Sequence, residues 1–305
     1  MEELAIIEAP SVLGLRPSGV QDLPAALLEA GLLTGLHAVR AGRIAPPPYD
    51  PERDADTGVL NPHGIADYSV RLADAVGDVL DGGRFPVVLG GDCTVLLGNL
   101  LALRRRGRPG LLFLDGHTDF YQPSAEPNGE AASMELALAT GRGPSLLTDL
   151  EGRGPLLRDE DVVAFAFRDT EESAEAGMQP LPPRLHALEL DAVRASGTAA
   201  AARRVVDRLT AGTNTGFWVH LDVDVLDDAI MPAVDYRQPD GLTWHELESV
   251  LSTALAAPGA MGLDVTIFNP RLDPDGTIAA RLAACLRRAL SARTERGGGD
   301  RGRRV

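Results

Sequence analysis

The apolar runs of this chain are nearly continuous: Leu4-Ala-Ile-Ile7, Pro86-Val-Val-Leu89, Leu111-Leu-Phe-Leu114, Val162–Phe167 and Phe217-Trp-Val-His-Leu221. A strand with one face in water alternates polar and apolar residues. A run without that alternation belongs to a strand covered on both faces. Segments of helical period lie between the runs, at Pro24–Leu33, Tyr68–Leu80, Val95–Arg105, Thr198–Leu209, Trp244–Ala256 and Thr277–Leu290, with a further strand at Gly262–Ile267. Strand-then-helix repetition predicts an α/β fold: a parallel sheet with helices on both faces.

No repeat or linker divides the 305 residues, and residues 1–290 read as a single domain. The last stretch, 291–305, ends in Arg296-Gly-Gly-Gly-Asp-Arg-Gly-Arg-Arg-Val305 and reads as a disordered basic tail. Aromatic residues make up only 4% of the chain, so aliphatic side chains must fill the core. Pro- and Gly-rich stretches at 45–62 and 121–131 read as long surface loops, which in compact domains are often functional.

With 29 basic against 44 acidic residues, net −15, the surface repels phosphate, which argues against a nucleic-acid partner or a polybasic membrane patch. Every basic residue is Arg, which excludes a Schiff-base or P-loop lysine. The two cysteines, Cys93 and Cys285, make no disulfide framework. The N-terminus lacks a charged signal-peptide region, and no apolar run reaches the roughly 20 residues of a membrane helix. These features predict a soluble cytoplasmic protein acting on a small molecule.

The chemistry gathers where strands end. Asp115-Gly-His117-Thr-Asp119 follows one apolar run, Asp222-Val-Asp224 another, and Gly90-Gly-Asp-Cys93 a third. In a parallel sheet, ligands bind outside the carboxyl ends of the strands. Four carboxylates packed together without a cation would repel one another, and several would stay protonated. A divalent pair such as manganese removes the repulsion and supplies an ionised water at neutral pH. The plainer alternative makes these Asp residues turn and N-cap groups, their commonest use at strand-to-helix junctions.

Those three motifs resemble the signature of the arginase and agmatinase group of ureohydrolases: Gly-Gly-Asp-His, Asp-Ala-His-x-Asp and Ser-x-Asp-x-Asp-x-x-Asp-Pro. The third appears here as His220-Leu-Asp-Val-Asp-Val-Leu-Asp-Asp228. Gly241-Leu-Thr and the stretch from Gly262 to Asn269-Pro270 add to the likeness, which extends to about Leu290. The resemblance implies a three-layer αβα sandwich with a mainly parallel sheet and a homo-oligomer, often trimeric or hexameric. It also implies two manganese ions per chain and hydroxide attack on a guanidinium carbon, releasing urea and an amine. By match, Asp115, Asp119, Asp222 and Cys93 hold the first metal, and His117, Asp224, Asp115 and Asp222 the second.

The chain departs from the signature at four places. Cys93 stands where the family has a ligand histidine, and a thiolate suits manganese less well than imidazole. Cysteine at this position also resembles a branch acting on N-hydroxyarginine, which points to a hydroxyguanidino substrate. Ile267 replaces the Glu that grips a guanidinium, and an apolar side chain offers no charge-assisted hydrogen bond. The loop after Asp119 lacks the family's proton-shuttling histidine. Glu130 or Glu135 would then serve as acid/base, unless each is simply a first-turn helix residue.

Finally, His220 replaces a small hydroxyl residue and reads as support behind the ligands, a surrogate shuttle, or a core histidine. His63, in the first long loop, reads mainly as a surface residue. Two further readings compete with guanidino hydrolysis. One is the same metal site acting on an amide or formimidoyl group. The other is a metal-binding pseudoenzyme.

Overall fold

The computed structural model describes residues 3–299, and in it the apolar runs form one sheet of eight strands. These are β1 (Leu4–Glu8), β2 (Ala38–Arg43), β3 (Phe85–Leu89), β4 (Pro109–Leu114), β5 (Val162–Phe167), β6 (His186–Glu189), β7 (Gly216–Asp222) and β8 (Ala260–Thr266). Their spatial order is β2-β1-β3-β8-β7-β4-β5-β6, and every pairing is parallel. The two strands that the apolar runs did not reveal, β2 and β6, are the edges. An edge strand keeps much of its surface in water, so Ala-Val-Arg-Ala-Gly-Arg and His-Ala-Leu-Glu carry no continuous apolar run to read.

The helices are α1 (Leu23–Glu29), α2 (Pro62–Asp81), α3 (Val95–Arg104), α4 (Glu135–Ala139), α5 (Ser145–Thr148), α6 (Thr170–Glu175), α7 (Leu190–Ala195), α8 (Thr198–Ala211), α9 (Trp244–Leu255) and α10 (Thr277–Gly299). Successive strand residues point to opposite faces, so each central strand feeds two cores. Leu4, Ile6, Leu112, Leu114, Val219 and Leu221 pack under α1, α8, α9 and α10. Ala5, Ile7, Leu111, Phe113 and Trp218 pack under α2, α3 and α4. The result is the three-layer αβα arrangement.

Three boundaries differ from the periodicity, the first being α1, which stops at Glu29 rather than Leu33. α2 begins at Pro62, six residues before its amphipathic pattern becomes readable: Asn61 turns the chain with φ 50° and Pro62 opens the first turn. At the other end, α10 continues to Gly299, so residues 291–299 of the expected tail are helical. The remainder of that stretch, 300–305, lies outside the described residues.

Two local features bear on placement of the strand ends. Gly262 on β8 lies under the indole of Trp218, where a Cβ would collide with the ring. The bare backbone lets Trp218 cross β8 and donate its Nε1–H to Asp264. α9 is held by a capping box in which Thr243 Oγ1 accepts from Glu246 N (3.2 Å) and Glu246 Oε2 accepts from Thr243 N (2.9 Å). Thr243→Ala is expected to lower stability by about 1 kcal/mol, read as a shift in the urea midpoint with an unchanged slope. No helix among the described residues is long and apolar enough to cross a membrane.

Candidate metal centre

The carboxyl ends of β3, β4, β7 and β8 meet at one point, because these strands are neighbours in the order β3-β8-β7-β4. Cys93 follows β3, Asp115 follows β4, Asp222 ends β7 and Thr266 ends β8. Cys93, Asp115, Asp222 and Asp224 are all almost fully buried. The three motifs therefore do converge, and the local turns aim their carboxylates. Asp115 Oδ1 accepts from His117 N (2.6 Å), and Asp222 Oδ1 accepts from Asp224 N (2.8 Å). Arg168 donates to the carbonyls of Asp224 (2.9 Å) and Gln238 (2.9 Å), pinning the chain just after the second motif. Asp119 sits in the left-handed region with φ 44°, a strained state for a non-glycine residue that turns the chain away after the first motif.

Two sets of donors lie close enough to share a cation, and Asp115 belongs to both. In the outer set, His117 Nδ1 is 2.9 Å from Asp224 Oδ2 and 3.7 Å from Asp115 Oδ1. In the inner set, ligand atoms of Cys93, Asp115, Glu135 and His220 all lie within 4.8 Å of one another. Cys93 Sγ donates to Asp222 Oδ2 (3.0 Å) and contacts Thr266 Oγ1 (3.1 Å). Asp119 lies against Glu135.

The electrostatics are those of acids crowded out of water. Burial, and then the Asp224 carboxylate, push the Asp115 carboxyl up to about 6 from 3.8. Burial also raises Asp119, Asp222 and Glu135 well above the carboxylate range, with neighbouring carboxylates adding to it. Asp224 alone is lowered despite its burial, because His117 and the Gly116 N–H favour its charge. The Cys93 thiol is pushed up by burial and then by Asp222.

The donor set fits a divalent cation. Asp115 Oδ2, both oxygens of Glu135 and Nε2 of His220 are buried without a hydrogen-bond donor or acceptor to satisfy them. A bound cation would satisfy these atoms and relieve the repulsion. Because it must displace protons, affinity is expected to weaken as the pH falls through about 6, read by metal titration between pH 5 and 8.

A cavity of about 270 Å³ opens onto this centre, with Cys93, His117, Asp119, Asp222 and Asp224 in its floor and Tyr121, Glu126, Glu172, Tyr236 and Ile267 among its walls. His117 is the only basic residue among its described lining residues. A wider groove of about 590 Å³ lies by Gly216, at the amino end of β7, and carries no such donor cluster.

Several sequence-derived assignments change. Glu130 does not line the cavity: its oxygens accept from Arg16 N (3.0 Å) and from the Tyr236 hydroxyl, so it clamps a wall and is not positioned as an acid/base. His220 is fully buried, stacked on Phe113 with centroids 4.8 Å apart, and its Nδ1 lies 2.6 Å from Asp264 Oδ2; it does not reach the cavity as a proton shuttle would. Glu135 is in the first turn of α4, as its helix reading required, yet its carboxyl faces the ligands. His63 is exposed on the first turn of α2. Asp264 was not singled out, although a charged residue inside the apolar run Gly262–Ile267 is the signal that marks it.

A parallel αβα sandwich with carboxylates and an imidazole clustered at its strand ends defines an α/β protein with a candidate metal centre. A model of the arginase family matches residues 3–292, and the chain belongs to that family. The chain is 28% identical to the arginase of Bacillus caldovelox over 296 residues, 94% of this chain and 97% of that protein. The solved native structure of B. caldovelox arginase superposes with a TM-score of 0.83 at 26% identity, covering 95% of this chain and 98% of the other. The agmatine ureohydrolase of Thermoplasma volcanium shares the fold at 18% identity, with a TM-score of 0.70 over 97% and 92% of the two chains.

Proposed function

We propose that this hydrolase cleaves a carbon–nitrogen bond of a small guanidino or hydroxyguanidino compound with a pair of divalent cations, manganese suiting the outer set. The observation that carries the reading is the pair of donor sets joined by Asp115, whose members Cys93, His117 and Asp224 line the floor of one cavity. When bound, the cations supply Lewis acidity and make water an effective nucleophile at neutral pH.

The protein's own residues do the rest. Asp115 ties the two sets together, and Asp224 orients His117 through Nδ1. Glu126 and Glu172 add negative charge to the walls, which favours a substrate whose unreacted end is cationic or neutral over one ending in a carboxylate. Tyr121 lines the wall with a phenol that burial keeps protonated and that can donate to a polar substrate group, whereas the Tyr236 hydroxyl is already given to Glu130. The test is release of urea or hydroxyurea from a panel of guanidino and hydroxyguanidino compounds by metal-loaded protein. Silence across the panel would overturn this reading.

Ile267 favours the second reading, an amide or formimidoyl substrate, because it presents a nearly buried apolar side chain to the cavity. It also holds φ 71°, an unusual backbone state for a β-branched residue. Ile267→Glu is expected to tighten guanidinium binding about tenfold or more, the worth of a charge-assisted hydrogen bond of about 1.5–3 kcal/mol. The same change should weaken a neutral amide. Substrate KM values for the two classes, measured on wild type and variant, separate the readings.

A further inference from the structure

The inner donor set is not the one that motif matching assigns. Its members come from four separate elements: Cys93 after β3, Asp115 after β4, Glu135 from α4 and His220 from β7. All four are buried, with no more than 1% of their surface exposed. Glu135 and His220 each bring a ligand atom into the set, and Nε2 of His220 has no hydrogen-bond partner of its own.

The surroundings of His220 are those of a ligand. The register of the sheet pairs His220 with Phe113 on one side and Asp264 on the other. Phe113 stacks on the ring, and Asp264 takes the Nδ1–H at 2.6 Å. Asp264 is itself fixed by Asn99 Nδ2 (3.1 Å) and by Trp218 Nε1. A carboxylate holding one ring nitrogen fixes the tautomer and leaves the other nitrogen with its lone pair directed at the metal position. A histidine stacked in an apolar core has no need of a second nitrogen left unsatisfied, whereas a metal ligand does.

We propose that His220 and Glu135, with Cys93 and Asp115, form a closed four-donor site for zinc beneath the outer Asp115–His117–Asp224 set. The imidazole absent at position 93 is thereby supplied from β7. One thiolate, one imidazole and two carboxylates are the donors of a four-coordinate zinc, whereas manganese favours oxygen. Four protein ligands leave the inner cation no open position. The outer set has three, and His117 is the more accessible, with 18% of its side chain exposed. Chemistry therefore belongs to the outer position, and the inner cation acts as a buttress and a source of positive field. This inference rests on the metal-dependent reading above and goes beyond it in ligands, metal and division of labour.

The test uses cobalt(II) as a spectroscopic stand-in for zinc, added to metal-depleted full-length protein, alongside elemental analysis after zinc and manganese loading. The expected spectrum at one equivalent shows intense tetrahedral visible bands and a thiolate-to-cobalt charge-transfer band that Cys93→Ser removes. Glu135→Gln and His220→Gln should lower the metal count from two to one per chain. Asp264→Asn, which keeps all four ligands, should weaken inner-site zinc about 10–100-fold and spare the outer site. The wild-type spectrum needs no variant to fold. Two cations bound with no charge-transfer band, or with the count unchanged in both Gln variants, would overturn the proposal and leave the hydrolase reading standing. Failure to bind zinc, cobalt or manganese at all would overturn both.

Discussion

Asp115→Asn is expected to leave a folded, metal-poor protein whose turnover is reduced by about 10³-fold or more. Asp115 is the one residue common to both donor sets, so its loss weakens both positions together. Metal-ion catalysis contributes several kcal/mol at the transition state, and each 1.36 kcal/mol is a factor of ten in rate. The same substitution should have the opposite effect on the metal-free fold. Burial, with Asp224 beside it, raises the Asp115 carboxyl from 3.8 to about 6.

Between those values the folded chain holds the proton more tightly than the unfolded chain. Stability is therefore lost as the pH rises: the penalty is absent below about pH 4 and complete above about pH 6. Asn carries no such charge. Metal-free Asp115→Asn should become increasingly more stable than metal-free wild type across that window, read as a growing difference in urea midpoint. Equal midpoints at every pH, or a variant that keeps two cations, would contradict this account of the centre.

Gly91→Ala is expected to cost about 3 kcal/mol or more and to lower metal content as well, although position 91 contributes no donor to either set. A Cβ at Gly91 would be driven into the carbonyl of Ser11, which is backbone and cannot swing aside. The loop has no slack to absorb the collision. Asp92 N donates to that same Ser11 carbonyl (3.1 Å), Ser11 Oγ donates to Asp92 Oδ2 (2.6 Å), and Ile267 N donates to the Gly91 carbonyl (2.8 Å). Any shift that frees the methyl group displaces Cys93 on one side and Ile267 on the other. Gly212→Ala is the control, since its Cβ would meet nothing closer than 3.9 Å. Denaturant midpoints and metal content of the two variants should part sharply; matching values would mean that the loop yields more easily than its hydrogen bonds imply.

Much of the centre was legible because the residues that carry it lie at the ends of readable strands. The runs before Asp115 and Asp222 announce buried strands, and strand ends in a parallel sheet are where ligands collect. Glu135 and Asp264 were harder. An acidic residue in the first turn of a helix satisfies a local rule, and that rule hides a carboxyl turned inward from α4. Asp264 is one charge inside an apolar run, whose meaning depends on which side chain stands on the neighbouring strand. Glu130 illustrates the converse. Its place in the loop suggested an acid/base, whereas long-range partners, the Arg16 N–H and the Tyr236 hydroxyl, occupy both its oxygens.

Cys93 and His220 show where the division falls. By itself the sequence determined the layered α/β class, the strand-end position of the three motifs and the chemical type of their donors, because hydrophobic periodicity and side-chain chemistry are local properties. It also showed two altered positions, 93 and 220, separated by 127 residues of chain. Only the tertiary structure decided that they face one another. β3 and β7 are not neighbours; β8 lies between them, and the register of β8 against β7 sets Asp264 beside His220. Strand order and register are settled by packing over the whole sheet, a non-local balance that no single segment encodes.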